Sequence, residues 1–240
     1  MLATYSICDQ NIFSSIFIMG VFNDDTKIKL SGAGVLIVEE YRHNNLVVPC
    51  ILVVRNRSSK ELSDFGGTFD SKHSHISDTA SAELLEESRN LIKIPADVVL
   101  RHSICFDIGG KPSYSDHKYR VYVIKAQNIA SKYYNLNKQI IDADPNSKNY
   151  FKETDLIAHI PISNIDFDTL LDRKSIYIKD VHNKSYKISM RLRKILSTGR
   201  ANILNAIKTE PIITSADLVR NTGKFERTYS FVYSNRTEKN

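Results

Sequence analysis

The sequence FGGTFD at residues 65–70, followed by TASAELLEESRNL at residues 79–91, decides the fold of this chain. The first segment predicts a glycine turn, because adjacent glycines allow backbone conformations that other residues avoid. The second predicts an amphipathic helix, because its apolar residues recur at helical spacing. The residues of its expected buried face are Ala80, Leu84 and Leu91. The residues that can cap its start are Ser77, Asp78 and Thr79.

Three glutamates of this helix share another face. Glu83, Glu86 and Glu87 stand at i, i+3 and i+4, so their carboxylates are neighbours. Like charges at this spacing cost about 0.2–0.5 kcal/mol per pair in an isolated helix. A divalent cation would reverse that cost, since hard cations prefer carboxylate oxygens. The alternative is a solvated acidic surface near a helix N-terminus, where the helix dipole favours glutamate. The glycine turn upstream favours the cation-binding interpretation.

The turn and the helix together resemble the Nudix box, a family pattern written G-x5-E-x7-R-E-U-x-E-E-x-G-U, in which U is apolar. Gly67 resembles the first glycine of the pattern. Glu83 resembles the glutamate of the Arg-Glu pair. Glu86 and Glu87 resemble the Glu-Glu pair. The resemblance extends over about residues 31–198.

The sequence departs from this pattern in its spacing and at four positions. The interval from Gly67 to Glu83 is one residue longer than in the family. The first glutamate is replaced by Ser74 and the arginine by Ala82. In the family this glutamate and this arginine pair with each other, so the loss of both leaves no unpaired charge. The other replacements are Arg89 for the late glycine and Asn90 for the final apolar residue. The local side chains that could substitute for the lost pair are Asp70, His73 and Asp78.

The resemblance implies a fold and a chemistry. The implied fold class is α/β, a Nudix-type α/β/α sandwich around a mixed β-sheet. The implied reaction is hydrolysis of a nucleoside diphosphate linked to another moiety, by water attacking phosphorus. The implied cofactor is Mg²⁺ or Mn²⁺, held by the three helix glutamates and the backbone carbonyl of Gly66. Gly67 is implied to lie against the substrate, and Glu83, Glu86 and Glu87 to be catalytic as well as metal-binding.

Two residues outside the box complete the expected site. Arg55 follows an apolar strand and begins a basic loop, and in the Nudix arrangement residues at this place face the phosphates. Glu153 precedes the segment His159-Ile160-Pro161-Ile162, which resembles the apolar-Pro-apolar step of the family, and is the candidate extra carboxylate, as metal ligand or general base. The alternatives are a solvated hairpin tip for Arg55 and a surface residue for Glu153.

The rest of the chain predicts one domain with extensions. We expect an N-terminal extension over residues 1–30, the Nudix domain over 31–198 and a C-terminal extension over 199–240. Residues 127–150 are polar and predict an insertion, partly helical or a mobile loop. Its Tyr133 and Tyr134 could stack a nucleic-acid base or simply pack against the domain.

Alternating or continuous apolar residues predict the principal strands, and helical spacing predicts a late helix. The basic residues Arg191, Arg193 and Lys194 of that helix are expected on a solvated face. The predicted strands are 31–38, 47–54, 98–107 and 119–125, and the predicted helix is 187–196, ending at Gly199.

Composition bounds the class of protein. The 240 residues are 42% hydrophobic and 25% charged, as in an ordinary globular protein, and no apolar run reaches the length of a membrane span. The net charge of +6 suits a polyanionic ligand such as a nucleotide or RNA. The three cysteines, Cys8, Cys50 and Cys105, have no metal-binding spacing, and Cys50 and Cys105 are expected in the core. We therefore expect a reducing, cytoplasmic location.

Two other functions stay open. The first is decapping of mRNA, since the chain is basic, larger than a bare Nudix domain, and rich in Asn, Ile, Lys and Tyr. That bias resembles proteins of AT-rich genomes, including large DNA viruses, some of which carry Nudix decapping enzymes; the location would then be the host cytoplasm. The second is a catalytically silent Nudix-like module that binds a nucleotide or RNA. The sequence leaves the oligomeric state open.

Overall fold

The computed structural model describes residues 29–109, 117–127, 129–211, 216–221 and 224–230. The expected extension over residues 1–28, Cys8 and the end of the chain after residue 230 lie outside these ranges. The strands are β1 (Lys29–His43), β2 (Leu46–Asn56), β3 (Leu62–Ser63), β4 (Phe65–Thr68), β5 (Ile92–Lys93), β6 (Ile104–Gly109), β7 (His117–Gln127), β8 (Thr154–Pro161), β9 (Tyr177–Lys179), β10 (Ser185–Lys187), β11 (Ala216–Asn221) and β12 (Lys224–Ser230). The helices are α1 (Ile76–Glu87), α2 (Ala96–His102), α3 (Ser131–Ala143), α4 (Met190–Thr198) and α5 (Arg200–Ala206). Two short 3₁₀ turns cover Asn149–Lys152 and Ile162–Asn164.

A mixed sheet of seven strands forms the centre of the structure. Its main path runs β3-β2-β1-β7-β6, while β4 pairs with β1 and β8 pairs with β2. β1 pairs antiparallel with β2 and β4 but parallel with β7. Asn44 and Asn45, with φ of 49° and 65°, make the two-residue hairpin turn between β1 and β2. The long first strand therefore connects the glycine turn to the rest of the sheet.

Helices cover both faces of this sheet. On one face, Val35 and Ile37 pack in a cluster with Ala80 and Leu84 of α1. On the other, the alternate residues of β1 pack in a second cluster with α4 and α5, including Leu192. Side chains alternate across a strand, so one strand supplies both layers. The structure confirms the predicted α/β fold with a mixed sheet between helical layers.

The predicted buried residues are correct, but several element bounds differ. Ala80, Leu84 and Leu91 are fully buried. The segment 98–107 is not one strand: α2 covers its first part and β6 begins at Ile104. Pro95 at the N-cap position pre-sets a helix start, which explains why the apolar run after it does not stay extended. Similarly, α4 begins at Met190 because Ser189 caps it, accepting the N–H of Leu192.

The first helix begins earlier than its expected caps. α1 starts at Ile76, with His75 as the N-cap residue. Asp78 still acts at this terminus, because its Oδ2 accepts the backbone N–H of His75 at 2.8 Å. The prediction that Ser77, Asp78 or Thr79 occupies the cap position is therefore wrong by two or more residues. Asp78 lies inside the first turn, and its carboxylate bonds back to the N-cap residue.

The polar segment 127–150 contains α3, which packs against the domain. Tyr134 is fully buried and donates its hydroxyl to Thr154 Oγ1 at 2.8 Å. Tyr133 is partly buried against the same core cluster. Of the two interpretations of these tyrosines, the structure favours packing over base stacking. Cys50 is buried as expected, whereas Cys105 is exposed because it points to the unpacked side of β6, between Ile104 and Phe106.

The C-terminal part also contacts the core. Ile203 and Ala206 of α5 are buried in the second cluster, and β12 pairs in parallel with β5 over two residues. Among the described residues, no helix combines the length and the apolar character needed to cross a bilayer.

Candidate active site

The glycine turn is fixed by the end of the acidic helix. Gly66 and Gly67 lie in β4, opposite Gly34 and Ala33 of β1. The backbone N–H of Gly66 donates to Glu87 Oε2 at 2.7 Å, although the two residues are 21 positions apart. Glu87 is 9% exposed, so this bond forms in a largely water-excluded place. The last glutamate of the box is therefore directly bonded to the glycine turn.

A second contact between the acidic helix and the turn is made by Glu83, and it requires glycine at position 67. A Cβ added to Gly67 would clash with the carboxylate of Glu83, whose oxygens lie against the bare backbone. Any side chain there would force Glu83 to move. Glu83 and Glu87 thus approach the turn from the same helix, one at each glycine.

Burial and nearby negative charges raise the pKa values of all three glutamates. Burial, and next the charge of Glu86, raise the pKa of Glu83 from 4.5 to about 7. Burial also raises the pKa of Glu86, with the charge of Glu153 adding to it. Burial raises the pKa of Glu87 well above its ordinary value, and the charges of Asp64 and Glu83 raise it further. These carboxylates are close enough to disfavour each other's charge, so a cation among them would be stabilised.

Arg191, which we expected on a solvated face, reaches this cluster from the opposite side of the sheet. Its Nη2 donates to the carbonyl of Gly66 at 2.7 Å, and its Nε donates to Asp64 Oδ1 at 2.7 Å. Asp64 is fully buried and also accepts the hydroxyl of Tyr119 at 2.7 Å. The expectation was wrong because helical spacing shows which residues share a face but not what lies beyond the helix end. Arg193, unlike Arg191, is buried, and it donates to backbone carbonyls, including that of Leu170.

Arg89 stabilises the other end of the acidic helix. It is fully buried and adopts φ of 55°, a left-handed conformation that glycine adopts without strain, at the position where the box has glycine. Its Nε donates to the carbonyl of Thr154 at 3.0 Å, and its Nη1 pairs with Asp142 at 2.8 Å. Thr154 Oγ1 in turn donates to the carbonyl of Glu87 at 2.6 Å. This network holds the residue after Glu153 against the end of α1.

The two candidates outside the box have different surroundings. Glu153 is exposed, and its charge contributes to the raised pKa values of Glu83 and Glu86. Arg55 pairs through Nε with Asp155 Oδ1 at 2.7 Å, with a quarter of its side chain exposed. The structure therefore brings Glu153 to the acidic cluster, while a phosphate contact by Arg55 stays a prediction.

The local substitutes for the lost Arg-Glu pair are engaged elsewhere. Asp70 pairs with Lys72 at 2.7 Å. His73 Nδ1 contacts Thr79 Oγ1 at 2.9 Å, and Asp78 caps α1. A guanidinium does bind the glycine turn directly, but it belongs to Arg191 of α4.

The donor chemistry of this cluster fits a divalent cation. Its members are carboxylates, the ligands that Mg²⁺ and Mn²⁺ prefer. Within the described ranges, however, no three His, Cys, Asp or Glu side chains are arranged as a ready metal site. The carboxylates are neighbours without converging on one point, and the carbonyl of Gly66 faces a guanidinium.

The raised pKa values predict how the metal-free protein responds to pH. A carboxyl group with a higher pKa in the folded state favours folding only while it keeps its proton. The free energy of unfolding should therefore fall as pH rises from about 4.5 to about 7, the interval that Glu83 spans. We expect Glu83→Gln to remove about 1–2 kcal/mol of this fall, allowing for partial exposure. Urea unfolding in a chelator at pH 5 and at pH 7.5 measures this fall in the free energy of unfolding. An equal fall in the unaltered protein and in Glu83→Gln would contradict the prediction.

Comparisons with known proteins give matches among solved structures alone, since neither a family model nor a curated protein matches the chain. The NUDIX domain of Shewanella oneidensis NrtR, complexed with ADP ribose, matches 78% of this chain and 96% of its own, with 9% identity and a TM-score of 0.37. A mutT/nudix family protein from Listeria innocua matches 72% of this chain and 93% of its own, with 13% identity and a TM-score of 0.40. A MutT/nudix family protein from Enterococcus faecalis matches 82% of this chain and 70% of its own, with 8% identity and a TM-score of 0.41. By their names, these three structures are a NUDIX domain and two MutT/nudix family proteins.

Proposed function

We propose that this chain is a Nudix-type hydrolase that cleaves the diphosphate of a nucleoside diphosphate linked to another moiety, with Mg²⁺ or Mn²⁺ as cofactor. The observation that carries the proposal is the approach of two helix carboxylates to the glycine turn. Glu87 bonds to the N–H of Gly66, and Glu83 lies against Gly67. A solvated acidic face, the alternative for these glutamates, would not lose water or gain backbone partners in this way.

The residues of this chain would hold the cofactor and manage the proton. Glu83, Glu86 and Glu87 are the carboxylates that would bind the ion. When bound, it would neutralise the pyrophosphate and acidify an attacking water. Glu153 is exposed beside the cluster, where it could accept the proton of that water.

A small cavity lies beside Glu87. Its volume is about 260 Å³, and Glu87 and Arg191 line it at the site end. The other lining residues include Asn56, Ser63 and Ser189, whose side chains carry hydrogen-bonding groups. Glu61 also lines the cavity, which therefore carries two carboxylates and one guanidinium.

One observation favours the catalytically silent alternative. Ala82 and Ser74 replace the charged pair of the box, and the carbonyl of Gly66 accepts a hydrogen bond from Arg191. A module of this kind would bind a nucleotide or RNA without cutting it. Capped RNA is the alternative substrate of the enzyme, which the net charge of +6 suits.

A substrate panel tests the proposal. We expect purified protein with Mg²⁺ or Mn²⁺ to release phosphate or a mononucleotide from at least one of ADP-ribose, diadenosine tetraphosphate, other nucleoside-diphosphate conjugates and capped RNA. Products are measured by anion-exchange chromatography, with chelator-treated protein as the control. Cleavage of capped RNA alone would establish the decapping alternative. Binding of a nucleotide or RNA without cleavage anywhere in the panel would overturn the hydrolase and establish the silent module.

A further inference from the structure

Arg191 occupies a place that its position in the sequence does not suggest. It is the second residue of α4, on the face of the sheet opposite α1. Its guanidinium nevertheless bonds to Gly66, and the N–H of the same glycine bonds to Glu87. The cation and the glutamate are thus joined through one residue of the turn.

The guanidinium is held firmly in this place. Asp64, fully buried, accepts Nε at 2.7 Å, and Ser63 Oγ accepts the same group at 3.2 Å. The guanidinium also lies over the ring of Tyr119, with 5.1 Å between Cζ and the ring centre. These contacts fix a positive charge beside the glutamates.

The charge of Arg191 acts on the glutamates themselves. It is the strongest influence lowering the pKa of Glu83 and of Glu87, against the burial and repulsion that raise both. Arg191 is therefore the internal counter-charge of the two carboxylates that touch the turn. A second cation entering this cluster would share those carboxylates with the guanidinium and would be repelled by it.

We propose that Arg191 is the built-in counter-cation of the acidic site, and that a divalent cation binds there in competition with its guanidinium at Gly66. This rests on the proposed function, because it concerns the site of the proposed cofactor. Arg191 is here a positioning residue: it keeps the glutamates in place in the metal-free protein and limits metal affinity.

Metal affinity tests the proposal without any substrate. We expect Arg191→Gln to bind Mn²⁺ about tenfold more tightly than the unaltered chain, since a unit charge about 6 Å from a divalent ion opposes it by about that factor even in water. Arg191→Lys, which retains the charge, should bind Mn²⁺ like the unaltered chain. Arg200→Gln is the matched control, because Arg200 is an exposed arginine of α5 that pairs with Asp168. Calorimetry and the electron spin resonance of free Mn²⁺ measure these affinities.

A gain of affinity is a result that structural damage does not produce. Equal or weaker Mn²⁺ binding by folded Arg191→Gln would overturn the proposal, and so would a similar gain in Arg200→Gln. If Arg191→Gln does not fold, the unaltered protein supplies the test. Its Arg191 Nε–H resonance should shift on Mg²⁺ titration with the same midpoint as the Gly66 amide, and a fixed resonance would overturn the proposal.

The results separate this proposal from the hydrolase. Tighter Mn²⁺ binding without hydrolysis of any substrate would support the role of Arg191 and reject the enzyme. Hydrolysis with unchanged Mn²⁺ affinity in Arg191→Gln would support the enzyme and reject the competition. Absence of Mn²⁺ binding in every variant would reject both.

Discussion

Glu87→Gln is expected to abolish hydrolysis while leaving the protein folded, with a loss of at least about 100-fold in kcat/KM. The amide oxygen of glutamine can still accept the N–H of Gly66, so the glycine turn keeps its contact. The negative charge that would hold the cofactor is lost. Burial raises the pKa of Glu87 well above its ordinary value, so a neutral side chain should not destabilise the metal-free protein. Steady-state kinetics on the best substrate of the panel, with thermal unfolding in a chelator, measure both effects.

The matched control for Glu87 of α1 is a glutamate of the sheet, Glu40. Glu40 lies on β1, six residues beyond Gly34, which places it about 20 Å along the strand from the turn. It pairs with Lys125, and 44% of its side chain is exposed, so Glu40→Gln should leave kcat/KM unchanged. Full activity in Glu87→Gln, or an equal loss in both variants, would contradict the role assigned to Glu87.

Replacing Arg89 is expected to have the largest effect on stability. Arg89→Ala should lower the free energy of unfolding by about 3 kcal/mol, because a buried network loses its centre and the carbonyl of Thr154 loses its donor. Arg89→Gly should cost about 1 kcal/mol less than alanine, since φ of 55° is strained for alanine and free for glycine. Urea unfolding of the three proteins at one pH measures the differences.

The comparison between alanine and glycine isolates the backbone. Both variants lose the same guanidinium, so their difference reports the left-handed conformation alone. Arg101→Ala is a suitable control, because Arg101 is exposed at the end of α2 and pairs with Asp97 one turn earlier. A loss below about 1 kcal/mol in Arg89→Ala would show that the network does not stabilise the fold.

The departures from the Nudix box have a common structural pattern. Where the box has glycine, Arg89 keeps the glycine conformation and adds a buried network to α3 and β8. At the position where the box has arginine, this chain has the uncharged Ala82. The guanidinium that binds the glycine turn belongs to Arg191 of α4. Both arginines bind backbone carbonyls next to the candidate site. A motif scored position by position treats each departure as a loss, whereas the structure shows which contacts Arg89 and Arg191 make.

The apolar pattern of the sequence predicted the buried face of the acidic helix, and the resemblance to the Nudix box implied the α/β layering and a site that joins the glutamates to the glycine turn. These depend on short-range order: apolar periodicity fixes which side of an element is buried, and a glycine pair followed by a helix limits where the carboxylates can lie. Tertiary structure decided the partner of that turn, since Arg191 is 125 residues from Gly66 and its helix lies across the sheet. It also decided that Arg55 pairs with Asp155 and that Arg193 is buried. A buried charged side chain needs a partner, and it pairs with an acid or a carbonyl that the completed fold places within its reach. The packing of the layers sets that placement, and no local sequence pattern encodes it.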